Sequence, residues 1–240
     1  MGFEEIDALC RHIDQEIERQ RPAVGERIEA IYRAYNRDFG IDWNDQSYFL
    51  TFLYLATRFR APHSIIQTGT CCGHSAIAMA LGLEDGGIDG TIDTIDPEPQ
   101  AYGDGAVTRP VEIARQVARQ SGHHHRIRFH RGYSVRAWDA GRIDLVNAPE
   151  GVLEQLAVPR SADLVVVDGD HTFPGAYWDL EYGARCLRPG GARLMITHDF
   201  KSIPTVRDAV RRWVRQRPGD VTLRVWGQYN GYALIGVAVP

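Results

Sequence analysis

His63-Ser64-Ile65-Ile66-Gln67-Thr68-Gly69-Thr70-Cys71-Cys72-Gly73-His74-Ser75-Ala76 is the stretch on which the fold turns. A short apolar run breaks into Gly69 and then Gly73, and small and apolar residues at helical spacing follow. The order is strand, glycine turn, helix, as in the opening unit of a nucleotide-binding sheet. Glycine serves where the backbone turns sharply or must meet a ligand with no Cβ in the way. The helix after it aims unpaired N–H groups back at the turn. The same two glycines also suit a tight connection with no ligand, so the next segment has to decide.

That segment is Thr91-Ile92-Asp93-Thr94-Ile95-Asp96, which alternates apolar and polar residues and stops at Pro97. It reads as a second strand. Asp96 closes it, and an acid about 20 residues past the glycines usually accepts hydrogen bonds from a ribose. A surface Asp before a turn proline is the competing explanation. Glycine turn and acid together favour a nucleoside site.

Ile66–Ala76 resembles the first motif of class I S-adenosylmethionine-dependent methyltransferases, with catechol O-methyltransferase and the metal-dependent natural-product and sugar O-methyltransferases as the nearest types. The resemblance covers roughly residues 46–240. It implies an α/β, Rossmann-like fold: a seven-stranded, mostly parallel sheet closed by an antiparallel C-terminal hairpin. Residues 1–45 then form an N-terminal helical extension, serving as a lid or as a homo-oligomer contact. S-adenosylmethionine is the implied cofactor, with Gln67, Gly69, Thr70, Gly73, Ser75, Asp96, Tyr133, Ser134 and Asp168 around it. Where these enzymes carry Glu-x-Gly near the methionine amine, this chain has Gln67, which accepts a hydrogen bond but brings no charge.

The composition is that of a globular domain: 240 residues, 44% hydrophobic and 24% charged, enough for one substantial core. A net charge of −4 gives no electrostatic case for nucleic acid. The one basic run, Arg207–Arg217, spaces its arginines around apolar Val206, Val210, Trp213 and Val214, the pattern of a solvated helix face. Cys10, Cys71, Cys72 and Cys186 show no metal or disulfide spacing, and Cys71 and Cys72 read as small turn residues beside the cofactor. The acidic, amphipathic N-terminus is no signal peptide. No apolar run approaches the ~20 residues that span a bilayer, so a cytoplasmic location is expected.

In order, helical spacing runs over residues 3–37, and Pro22 is expected to split it into two helices. Gly40 ends the second, and a third covers Gln46–Phe59. Strands follow at Ser64–Thr68, Thr91–Asp96, Arg126–His130, Ala162–Val167, Arg193–Thr197, Val221–Trp226 and Tyr232–Val239. Helices are expected at His74–Leu81, Pro110–Gln120, Gly175–Leu187 and Pro204–Arg215. Pro97–Asp104 reads as a loop, His123-His124-His125 as an exposed turn, and Asp139–Arg160 as loop with a short helix. Asn230-Gly231 between β-rich runs signals the closing hairpin.

Two strand ends carry the chemistry: Asp168-Gly169-Asp170-His171 and His198-Asp199. In a parallel sheet they meet at one edge, where clustered carboxylates call for a cation. Oxygen-rich ligation suits Mg2+, and one imidazole also admits Mn2+. Helix capping is the competing use of such acids. The resemblance places Asp168, His198 and Asp199 as metal ligands. It places His171, three residues past Asp168, as the general base, with Asp170 as the alternative. An ordinary histidine, with pKa near 6.5, accepts a proton at neutral pH. The expected reaction is methyl transfer from S-adenosylmethionine to a hydroxyl of a small molecule (a phenol, catechol or sugar), assisted by the metal. Trp43, Tyr48, Trp138, Phe173, Tyr177 and Trp178 are expected to rim the acceptor mouth. An NAD(P)-dependent oxidoreductase is the first alternative, although a tight Gly-x-Gly-x-x-Gly and a Tyr-x-x-x-Lys pair are both missing. A non-catalytic binding protein of the same fold is the second.

Overall fold

The computed structural model describes residues 3–33, 43–98, 101–102, 107–135, 151–157, 160–227 and 231–239. Gly40, Trp138 and Asn230, and the side chain of Trp43, lie outside the described set. Seven strands form the main sheet: β1 (Ser64–Thr68), β2 (Thr91–Asp96), β5 (Ile127–Arg131), β6 (Leu164–Val167), β7 (Gly191–Thr197), β8 (Val221–Trp226) and β9 (Tyr232–Val239). Their order is β5-β2-β1-β6-β7-β9-β8. All pairs from β5 to β7 are parallel, whereas β7/β9 and β8/β9 are antiparallel. The seven-stranded Rossmann-like sheet with its C-terminal hairpin is therefore present. A two-stranded ribbon of β3 (Ala101–Tyr102) and β4 (Val107–Thr108) stands within and just beyond the stretch expected as loop.

Helices cover both faces. On one lie α1 (Phe3–Arg33), α2 (Trp43–Arg60), α3 (His74–Asp85) and α4 (Pro110–Gln120); a short α5 (Val152–Leu156), then α6 (Phe173–Cys186) and α7 (Pro204–Arg215), lie on the other. Strand β6 shows why its four consecutive apolar residues belong in the middle. Leu164 and Val166 enter the first core, Val165 and Val167 the second, and a strand covered on both faces needs apolar side chains on both.

The expected break at Pro22 is corrected: α1 is one helix with Pro22 inside it. Ile13, Ile17, Val24, Ile28 and Tyr32 continue one buried stripe past the proline. Pro22 itself is exposed, so water can satisfy the carbonyl that loses its partner. Packing of the stripe outweighs a cost of about 3 kcal/mol for an interior proline. Helices α1 and α2 share a single core with α3 and β1. The triple histidine forms a 3-10 turn in which His123 is buried rather than exposed, its ring 3.3 Å from Glu84.

Strand β1 has β2 on one side and β6 on the other. The chain leaves β1 where the order of strands reverses, so a crevice opens at the C-terminal ends of β1, β2, β5 and β6.

Candidate active site

A cavity of about 430 Å³ occupies that crevice, lined by Thr68, Gly69, Ile95, Asp96, Pro97, Gly132, Tyr133, Ser134, Gly169, Asp170 and His171. Each comes from a strand end or the loop behind it. Of the residues expected around the cofactor, four share this surface: Gly69, Asp96, Tyr133 and Ser134; the two expected as the base, His171 and Asp170, line it too.

The glycine turn is held from several directions. Gly69 has φ +79°, and a Cβ there would sit 1.8 Å from the Asp168 carbonyl oxygen. The glycine is required by the neighbouring strand as well as by any ligand. Gly73, at φ +85°, precedes α3, and its missing Cβ makes room for Ala114 of α4. Between them, the Thr70 and Cys71 N–H groups donate to Asp96 Oδ2 at 3.0 and 3.1 Å. Asp96 Oδ1 accepts from the Glu98 N–H at 2.8 Å. Cys71 is exposed and Cys72 buried; the Cys72 carbonyl accepts from the Tyr32 hydroxyl of α1 at 2.8 Å. Ser75 is half-buried in the first turn of α3.

These contacts give Asp96 a structural role beside the one expected of it. It is 0% exposed, and both oxygens accept from backbone N–H groups. Here it builds the turn and lines the cavity as well. Thr94, on the same strand, reaches the turn as well, through the Thr70 hydroxyl at 2.7 Å. Gln67 is also buried; its Nε2 donates to the Gly69 carbonyl at 2.7 Å, and among the described residues its Oε1 has no partner.

The acidic strand ends converge as expected, with a different pairing. His198 is half-buried, stacked on Phe49 at 4.0 Å, with Nδ1 3.1 Å from Asp168 Oδ1 and 3.2 Å from Asp199 Oδ2. Burial opposes its charge, but the two carboxylates prevail and push its pKa up to about 10. The Asp199 pKa is lowered: burial raises it, and the His198 hydrogen bond and charge overcome that. Ser202 donates to Asp199 Oδ1 at 3.1 Å. His171, at the open edge, places Nε2 3.2 Å from Asp199 Oδ2, and its carbonyl accepts from Thr205 of α7 at 2.6 Å. Donor atoms of Asp168, His171 and Asp199 all lie within 4.8 Å of one another, so these residues fit a cation. His171, expected as the base, joins Asp168 and Asp199 in that set, while His198 bridges the same two acids from beneath.

Asp170 lines the cavity and is held by Thr172. Its Oδ1 accepts from the Thr172 N–H at 3.1 Å and its Oδ2 from the Thr172 hydroxyl at 2.6 Å. Thr172 in turn caps α6 through the Gly175 N–H. The aromatic rim is also redrawn, since neither Tyr48, Phe173, Tyr177 nor Trp178 lines the cavity. Phe173 and Tyr177 pack toward α7, and the Tyr48 hydroxyl bonds Glu18 of α1 at 2.5 Å.

One residue had no sequence signal. Asp179, in α6, is 1% exposed beneath the cavity, and the Ser134 hydroxyl donates to its Oδ1. Burial pushes its pKa up to about 6, against the Ser134 hydroxyl that favours the ionised form. A polar residue in an amphipathic helix reads as solvent-facing, and nothing local says otherwise.

No curated protein sequence matches the chain. Solved structures do. An O-methyltransferase of Bacillus cereus in complex with S-adenosylhomocysteine is 17% identical, with 90% of each chain covered and a TM-score of 0.59. TomG of Streptomyces achromogenes, an O-methyltransferase of tomaymycin synthesis in complex with S-adenosylmethionine, is 20% identical; 90% of this chain and 89% of that one are covered, at a TM-score of 0.58. The methyltransferase PaMTH1 of Podospora anserina, bound to S-adenosylhomocysteine, is 14% identical, with 98% and 96% covered and a TM-score of 0.53. At these identities the likeness is one of fold. The methyltransferase domain family matches residues 66–200, from the end of β1 to the loop after β7. That span contains the glycine turn, the Asp168–His171 loop and the His198-Asp199 pair. More than half of the chain is matched, and the chain belongs to the methyltransferase domain family.

Proposed function

We propose that the protein transfers a methyl group from S-adenosylmethionine to a hydroxyl of a small molecule. The observation that carries this reading is the cavity itself, bounded by the glycine turn along one wall and by His171 at its open end. Bound there, S-adenosylmethionine supplies an electrophilic methyl group on a sulfonium. The residues present fit it. The orphaned buried Gln67 Oε1 is an acceptor for an ammonium N–H. Ile95, Pro97 and Tyr133 offer apolar surface for a purine, with Ser134 as the polar contact beside it.

His171 serves as the base. Asp199 holds Nε2, so the neutral ring carries its hydrogen there and Nδ1 takes the proton; a base fixed by a carboxylate is the recurrent arrangement for such work. Phe49, His198 and Ser202 keep Asp199 in place. The protein's larger contribution is to hold the acceptor oxygen at attack distance and in line.

A second reading rests on the donor set. Asp168, His171 and Asp199 would hold Mg2+ or Mn2+, and such an ion lowers the pKa of a hydroxyl bound to it. A ligating His171 would then not be the base. The test is methyl transfer to a panel of phenols, catechols and sugars, before and after exhaustive chelation. Transfer that survives chelation assigns the work to His171. Loss on chelation with recovery on Mg2+ assigns it to the ion. Binding of S-adenosylhomocysteine without transfer to any acceptor would leave a non-catalytic binding protein.

A further inference from the structure

Asp179 is a buried carboxylate that the scheme above does not use. It lies directly beneath the cavity: the Ser134 hydroxyl donates to Oδ1, Oδ2 has no hydrogen-bond partner among the described residues, and a Cβ on Gly169 would fall 2.7 Å from Oδ2. Thr68, Ser134 and Gly169 all line the cavity. An ionised carboxylate offers only lone pairs, so between these two groups Ser134 has to be the donor. A serine hydroxyl has one hydrogen. With that hydrogen committed to Asp179, Ser134 meets the cavity as an acceptor alone.

Resting on the S-adenosylmethionine reading, we infer that Asp179 is a positioning residue that fixes Ser134 as an obligate acceptor, and so selects a purine with an exocyclic amino group over its 6-oxo counterpart. The amino N–H meets a serine lone pair. A purine carbonyl in its place would set lone pair against lone pair, leaving neither group a partner in the other. Asp170, the one charged neighbour that acts on Asp179, raises its pKa. The resulting value of about 6 still leaves the carboxylate ionised at neutral pH.

The test is calorimetric binding of S-adenosylhomocysteine and S-inosylhomocysteine at pH 7.5 to the parent, Ser134→Ala and Asp179→Asn. The parent should prefer the adenosyl compound by about 10-fold, the scale of one well-made hydrogen bond against a mismatched one. Ser134→Ala should lose affinity for the adenosyl compound alone, which collapses the ratio. Asp179→Asn should collapse it too, because an amide can donate to Ser134 and release the serine hydrogen to adapt. A purely supporting role would weaken both ligands equally and keep the ratio, which overturns the inference. Equal binding of the two compounds by the parent also overturns it, while the cofactor reading stands. Failure of the parent to bind either compound sinks both.

Discussion

At Gly69 a single methyl group decides whether two strand ends can lie side by side. A Cβ placed 1.8 Å from the Asp168 carbonyl, on a backbone at φ +79°, has no room and the wrong conformation. Gly69→Ala should therefore cost at least about 2–3 kcal/mol, read as a lower urea midpoint. If the midpoint is unchanged, β1 and β6 are less tightly apposed than described. His171 gives the opposite kind of prediction. It is exposed at the cavity edge, so His171→Ala should leave stability and S-adenosylhomocysteine binding intact while kcat/KM falls by about 10²–10⁴. The acid limb of the pH–rate profile should vanish with it. A limb that persists in His171→Ala would hand the proton to another group. Such residues were half legible from the chain alone. His171 and the strand-end acids stood out because titratable side chains after an apolar strand mark a sheet edge. The contacts of Asp96 and Asp170 were not legible, since the N–H groups that each accepts from are brought near only by the folded turns.

Strands β2 and β5 show what an element adds. Asp93, opposite Arg128 in the parallel register, is 3% exposed and bonds both His130 at 2.6 Å and Arg128 at 2.5 Å. Burial raises its pKa, and the His130 and Arg128 bonds more than reverse this. With its folded pKa below the unfolded value, its contribution is complete above roughly pH 4 and fades as the pH drops through the folded value. Asp93→Asn should accordingly cost about 1–2 kcal/mol near neutrality, discounted for the exposed Arg128. The gap between the two proteins should close under acid, and urea titrations at pH 7 and pH 3 would measure it. A gap that is unchanged at pH 3 would show that shape rather than charge is responsible. Elements such as β1, β2, α4 and α7 were readable at their observed limits. Alternation, proline at a helix start and glycine at a turn are local signals. The continuity of α1 through Pro22 was not, because the stripe Ile17–Val24–Ile28 matters only once α2 and α3 are there to cover it.

Across the whole molecule, the helices ahead of the sheet are part of the same core as the sheet. Ile13, Ile28 and Tyr32 are among its largest fully buried side chains, and Arg224 of β8 bonds Asp7 of α1 at 2.5 Å. A chain begun at residue 46 should thus be poorly soluble and bind S-adenosylhomocysteine weakly, if at all; a soluble, binding-competent fragment would show the helices to be dispensable. The Tyr32 hydroxyl on the Cys72 carbonyl has a sharper meaning in that light. A modular view of the gene would trim it to the segment shared with other methyltransferases and expect a smaller working unit. That bond crosses from the unmatched part of the chain to the floor of the matched part. Trimming would unpin the turn from behind while leaving every residue of the shared segment in place, so recombining this domain with foreign N-termini would have to carry a tyrosine to the same spot.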